Sequence, residues 1–334
     1  MKKSGQNTQE TDITRKKRKK GRLMWGFIYV LAFITAFCGS ALFKMKYNPY
    51  GKEFTTEWND SVGTVYTDLS YGDREANRFD LYVPAGRSRD SYGLIVYLHA
   101  GGFTSGDKSD DEQLLKWLCS KGYVTAGINY TLRTEDHPEA SVYSQSVEIR
   151  ESIPYVLAEA ERLGYPIREM AVGGGSAGGC LALLYAYRDA DSSPVPVRMV
   201  FEAVGPSSFY PEDWKCYGLD KNEEAARALF SVMAGKEITA GFGTPEYEKE
   251  IKDISALLWV DSDTVPTLMA YGKCDKVQPY EASLRLLKAL EENGIPHDYY
   301  LGEHSGHGIQ NDPDVYADYM RKTLEYLDTY MPVR

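Results

Sequence analysis

Residues 170–187 read MAVGGGSAGGCLALLYAY, an apolar run, five glycines around one serine, then a helix-like apolar segment. Gly174-Gly175-Ser176-Ala177-Gly178 fits the pattern G-x-S-x-G. In that pattern a sharp strand-to-helix turn imposes strained backbone angles on the serine, so its neighbours must lack side chains, and the turn lifts the hydroxyl above a sheet. The helix that follows points its N-terminal N–H groups at the same spot, where negative charge is stabilised. The letters also fit a rival. Gly173-x-Gly175-x-x-Gly178 matches the dinucleotide fingerprint G-x-G-x-x-G, and Glu202 stands 24 residues further on, near a strand end. A phosphate loop of the Walker type lacks its lysine here, and a purely structural glycine turn is a third reading.

The residues downstream favour the first reading. A serine hydroxyl is a poor nucleophile unless a base takes its proton, and the base needs an orienting acid. The expected chain order is Ser, then Asp or Glu, then His. After Ser176 the histidines are His297, His304 and His307. HSGHGIQ places His304 and His307 on a glycine-rich loop just past the last strand-like run, and YGKCDKVQP ends a strand with Asp275. Strand C-termini are where an open α/β sheet meets its ligand. His307, flanked by Gly306 and Gly308, is the expected base, with His304 the fallback. Taken singly, Asp275 reads as a helix cap and His307 as a surface residue.

Upstream, LHAGGF ends the first buried strand. Ester hydrolysis passes through an oxyanion that needs preorganised N–H donors. The amides of Gly101 and Gly102, which side chains do not hinder, would form an oxyanion hole with that of Ala177. His99 reads as a structural residue bracing this loop. As a metal ligand it lacks a suitably spaced second ligand, and no metal is expected.

Outward from these motifs, strands and helices alternate. GTVYTDLSY and ANRFDLYVP form a hairpin through GDRE; GLIVYLHAGG, YVTAGINY, EMAVGG, VRMVFEAV, PTLMAYG and HDYYLGE follow as strands. Helical patterns cover 109–121, 141–164, 177–188, 280–293 and 314–330, with a kink or break expected at Pro154. Such alternation predicts an α/β fold with a mostly parallel sheet covered on both faces. Residues 205–262 break the rhythm with two helix-like pieces and clustered aromatics, and so read as a lid insertion.

The chain has 334 residues and a formal net charge of −10, which argues against a nucleic-acid partner. Nine of its 38 basic residues lie in the first 22 positions. Directly after them, residues 23–43 run for 21 positions without a charge, roughly 30 Å as a helix and so the thickness of a bilayer core. The expected organisation is a basic cytoplasmic tail (1–22), a transmembrane signal anchor (23–43), a stalk (44–61) and a catalytic domain (62–334). The positive-inside rule puts the catalytic domain outside the cytoplasm. A cleavable signal peptide, with Gly39–Ala41 as the cleavage site, is the competing reading and would give a secreted protein. The five cysteines show no CxxC pair and no zinc spacing, and nothing requires a disulfide.

Together HAGGF, GGGSAGG, GKCDKVQP and SGHG resemble the α/β-hydrolase superfamily, on its carboxylesterase and lipase branch related to hormone-sensitive lipase. The resemblance covers roughly residues 62–331. It implies an eight-stranded sheet, serine-hydrolase chemistry and no cofactor. The family's usual H-G-G-G stands here as His99-Ala100-Gly101-Gly102, a departure at the first glycine only. The expected activity is cleavage of carboxylic esters by Ser176, Asp275 and His307, with Gly174 and Gly178 shaping the turn. The 26 tyrosines hint at aromatic or carbohydrate-linked esters, so the expected substrate is a small-molecule or glycan-linked ester. An NAD(P)-binding oxidoreductase and a catalytically silent binding module of the same fold are the alternatives.

Overall fold

A computed structural model of the protein describes residues 53–86 and 89–333. The tail and anchor expected at 1–22 and 23–43 lie outside the described residues, as does the first half of the expected stalk. No described helix is long and apolar enough to cross a membrane.

Eight strands form one sheet: β1 (Gly63–Ser70), β2 (Arg78–Pro84), β3 (Tyr92–Leu98), β4 (Val124–Ile128), β5 (Ile167–Gly175), β6 (Val197–Ala203), β7 (Thr267–Gly272) and β8 (His297–Gly302). Their order is β1-β2-β4-β3-β5-β6-β7-β8. β1 and β2 form the expected antiparallel hairpin, β2 runs antiparallel to β4, and all remaining pairs are parallel. Central strands are buried on both faces, hence their unbroken apolar runs: Leu94, Ile95, Val96 and Leu98 have no exposed surface. β1 at the edge mixes buried and exposed positions.

The helices are α1 (Glu112–Ser120), α2 (Val142–Arg162), α3 (Ala177–Leu184), α4 (Glu223–Ala234), α5 (Pro245–Ile251), α6 (Tyr280–Glu292) and α7 (Pro313–Tyr330). From β3 the chain crosses through α1 to β4 on one side, then returns through α2 to β5 on the other. Right-handed crossovers in opposite directions put α1 and α2 on opposite faces. The order of strands therefore reverses at β3 and β5, and a ligand crevice belongs at their C-terminal ends. α3 is buried at all eight positions, which accounts for its lack of a polar stripe.

Two expectations change. Of the kink or break expected at Pro154, the break is absent, and α2 runs continuously from Val142 to Arg162. Proline removes one hydrogen bond to the carbonyl four residues back, and both Pro154 and Arg150 are exposed, so water can satisfy that carbonyl. Residues 53–61, expected as stalk, pack onto the domain. Phe54 is buried, its ring edge-on to Trp117 of α1 (centroids 5.5 Å apart) and Tyr316 of α7 (5.9 Å). Trp58 meets Tyr82 at 6.2 Å.

Between β6 and β7 the chain makes a 3₁₀ turn (Pro211–Tyr217), then α4 and α5. Buried aromatics hold this crossover: Phe209 lies 5.5 Å from Trp214 and 5.9 Å from Phe230.

Candidate active site

Ser176 sits between β5 and α3 with φ 53° and ψ −119°. Such a conformation is unfavourable for any residue with a Cβ, so it persists only where the surroundings fix it. They do so here. The Ser176 amide donates to the Ala203 carbonyl at 2.8 Å. A Cβ on Gly178 would lie 1.9 Å from the Leu98 carbonyl oxygen, and one on Gly174 would lie 2.3 Å from Gly178. The turn closes only because these two glycines let backbone touch backbone.

Two loops from distant sequence meet this turn. His307 Nε2 lies 2.7 Å from Ser176 Oγ, and His307 Nδ1 lies 2.7 Å from Asp275 Oδ2. A carboxylate only accepts, so Nδ1 carries the proton it donates to Asp275, and Nε2 is left to accept from the serine hydroxyl. The Asp275 side chain is fully buried, and His307 is about a quarter exposed. The other carboxylate oxygen, Oδ1, accepts from the amides of Val277 (2.7 Å) and Gln278 (3.0 Å). Those two amides were not singled out from the sequence. Their signal was Asp275 at the head of a turn, where an Asp side chain takes amides two and three residues on. Gly272 was missed as well. It ends β7, and a Cβ there would meet the Gly306 carbonyl oxygen at 2.1 Å, so its bareness lets the Asp275 and His307 loops pack together.

His304 is not brought to the site. Its Nδ1 lies 2.9 Å from Asp312 Oδ1, and its side chain is mostly exposed.

Gly101 and Gly102 occupy left-handed backbone, φ +130° and +60°. Gly101 is needed on a further ground, because its Cβ would stand 1.9 Å from the Ser105 carbonyl oxygen. Gly102 has open space, and its backbone angle alone favours glycine. The Gly101 carbonyl accepts from the amides of Thr104 and Ser105, which curls the loop. Ala177 opens α3, where the first N–H groups have no partner within the helix. His99 is buried and stacks on Tyr130 with centroids 4.4 Å apart. Its Nδ1 faces the Ala100 carbonyl at 2.7 Å, and Tyr130 donates to the His99 carbonyl at 2.9 Å. Burial lowers the imidazole's pKa, so it stands neutral as a brace beneath the loop.

The dinucleotide reading of the same glycines fails on Glu202. Its side chain is buried in β6, where Oε2 accepts the Gly205 amide at 2.8 Å. A ribose hydroxyl cannot reach it. Burial raises its pKa to about 8, so the carboxyl is mainly neutral at pH 7.

The family comparison agrees with this architecture. The BD-FAE family profile matches residues 79–290, nearly two thirds of the sequence. The chain belongs to the BD-FAE family. That places it in the α/β-hydrolase superfamily, with its carboxylesterase branch. The BD-FAE match runs from β2 into α6, taking in Ser176 and Asp275 and ending before His307. A kynurenine formamidase from Danio rerio is 27% identical over 134 residues, 40% of this chain and 43% of that protein. The match thus spans less than half of that relative's length. Esterase B from Lactobacillus rhamnosis shares the fold, with a TM-score of 0.63 and 19% identity over 89% of this chain and 95% of that one. A thermophilic esterase from Thermogutta terrifontis gives 0.63 and 18% over 82% and 95%. A truncated carbohydrate esterase from gut microbiota gives 0.61 and 18% over 80% and 98%.

Proposed function

We propose that the protein is a membrane-anchored serine hydrolase of carboxylic esters, acting through an acyl-enzyme. The observation that carries this reading is the continuous chain Ser176 Oγ, His307 Nε2, His307 Nδ1, Asp275 Oδ2, with both contacts at 2.7 Å. Ser176 Oγ attacks the ester carbonyl carbon while its proton passes to His307 Nε2. Asp275 holds the ring in the required tautomer and stabilises the imidazolium. The amides of Gly101, Gly102 and Ala177 donate to the oxyanion. As the intermediate collapses, the C–O bond breaks and His307 returns the proton to the leaving alcohol. Water, deprotonated by His307, then attacks the acyl-enzyme, and the acid leaves with Ser176 restored.

The anchor is residues 23–43, with the catalytic domain outside the cytoplasm, and the β6–β7 crossover at 205–262 serves as the lid. The neighbouring esterases support ester cleavage, and the carbohydrate esterase among them fits a glycan-linked ester. The formamidase relative makes an aryl formamide the natural counter-substrate. The test uses the full chain in detergent micelles. Acetyl, butyryl, octanoyl and feruloyl esters and an aryl formamide are compared, and the serine is labelled with a fluorophosphonate. Wild type hydrolyses esters and takes up the label, and Ser176→Ala loses both. Label retained by Ser176→Ala removes that serine as the nucleophile. A folded protein that neither labels nor hydrolyses any substrate is the silent binding module.

A further inference from the structure

Asp275 faces His307 with one oxygen and a turn of backbone with the other. The amide of Gln278, which donates to Asp275 Oδ1 at 3.0 Å, belongs to the same rigid peptide plane as the carbonyl of Val277. That carbonyl is taken by the Tyr217 hydroxyl, which donates to it at 2.9 Å from the end of the 3₁₀ turn in the β6–β7 crossover. We propose that Tyr217 is a positioning residue for the catalytic acid, fixing through the Val277–Gln278 peptide the amide that aims Asp275 at His307. The inference rests on the ester-hydrolase reading of this site.

Three features support it. Tyr217 is about half exposed, so core packing does not explain its place. Its pKa is raised, by partial burial first and then by the neighbouring Cys216 and Asp275, so the hydroxyl stays a donor at working pH. A carbonyl that accepts a hydrogen bond also polarises its peptide and strengthens the N–H on the far side. The route from crossover to nucleophile is thus unbroken: Tyr217 hydroxyl, one peptide plane, Asp275, His307, Ser176. The crossover has other ties to the same region, Lys215 with Glu281 at 3.3 Å and Asp213 with Arg285 at 2.8 Å. These hold the two segments together without touching the Val277 carbonyl, and so provide the control.

The test compares Tyr217→Phe with wild type, as full chains in micelles, by steady-state ester hydrolysis and by the rate of fluorophosphonate labelling. Tyr217→Phe keeps the ring and is expected to lower both kcat and the labelling rate about fivefold, the effect of one hydrogen bond of ordinary strength. KM stays within about twofold, because what is lost acts on the transition state rather than on uniform binding. Tyr217→Leu, which also lacks the hydroxyl, gives the same loss in labelling rate and guards against an artefact of the phenyl ring. Arg285→Gln, which removes the tie to the buried Asp213, loosens the crossover alone and leaves both rates unchanged. On an Asp275→Ala background, where the peptide has no acceptor to aim, Tyr217→Phe changes the residual labelling rate no further. Wild-type rates for Tyr217→Phe overturn the proposal. So does an equal loss on the Asp275→Ala background, or the same loss from Arg285→Gln. Failure of the hydrolase reading itself is distinguishable, since either wild type then takes up no label and hydrolyses no ester, or Ser176→Ala keeps the label.

Discussion

Ser176 and His307 come from positions 131 residues apart, and each depends on backbone that few residues tolerate. Ser176 holds φ 53°, while the His307 loop passes through Gly308 at φ +113° and Ile309 at φ +58°. For Ser176 and Ile309 this costs on the order of 1–3 kcal/mol each and persists only where surrounding contacts over-determine it, whereas Gly308 takes its angle without that cost. The choice between two histidines three residues apart is made by their acid partners. Asp312 takes His304, and it also takes the His304 amide and the Ser305 hydroxyl, so it is a loop staple. Asp275 takes His307 and lies in the loop three residues past the end of β7. The expected outcome is a sharp split in ester kinetics. His304→Ala keeps kcat within about twofold, whereas His307→Ala loses on the order of 10⁶ in kcat, as loss of a serine hydrolase's general base does. Comparable losses from both substitutions would contradict the assignment of the base.

At the scale of elements, β6 carries a charge-bearing side chain out of contact with bulk solvent. Glu202 has no exposed surface, and burial raises its pKa to about 8. Between the ordinary carboxylate range and about 8, the folded chain therefore holds a proton that the unfolded chain has released. Stability falls as pH rises through that window and levels off above it. Glu202→Gln keeps the shape and removes the ionisation. Its melting midpoint should gain on wild type from pH 5 to pH 8.5, read by differential scanning fluorimetry at both values; a constant difference would mean that Glu202 titrates normally. The same residue marks a limit of sequence reading. Glu202 stood at the spacing of a ribose ligand, and only the depth of β6 in the sheet removes it. The strands themselves were legible, because buried parallel strands leave long apolar runs and glycines mark their C-terminal ends. So was the meeting of Ser176, Asp275 and His307, because their order along the chain is the one that the strand ends of this fold bring together. The Tyr217 contact was not legible, since it joins a crossover turn to a loop 60 residues away through a backbone carbonyl. Nor was the intact α2, because whether Pro154 breaks a helix depends on which side faces water.

For the molecule as a whole, the site gathers where strand order reverses, with β3 supplying the Gly101–Gly102 loop, β5 the serine, and β7 and β8 the loops of Asp275 and His307. Glu53 and Phe54 lie at the start of the described residues, and their contacts show how the chain joins this body. Glu53 pairs with Arg321 of α7 at 2.7 Å, and Phe54 inserts its ring between Trp117 of α1 and Tyr316 of α7. The ion pair is exposed and screened by water, so it contributes little. The ring is buried, and it bridges two helices that are distant in sequence. Phe54→Ala should then cost about 3 kcal/mol and lower the melting midpoint by roughly 6–10 °C. Arg321→Gln should move the midpoint far less. If Phe54→Ala melts within a degree or two of wild type, residues 53–61 are only a tether and the folded unit starts at β1. The predicted loss would instead make them part of the hydrolase body, leaving at most nine residues, 44–52, to span from the proposed anchor to a fixed point on its surface.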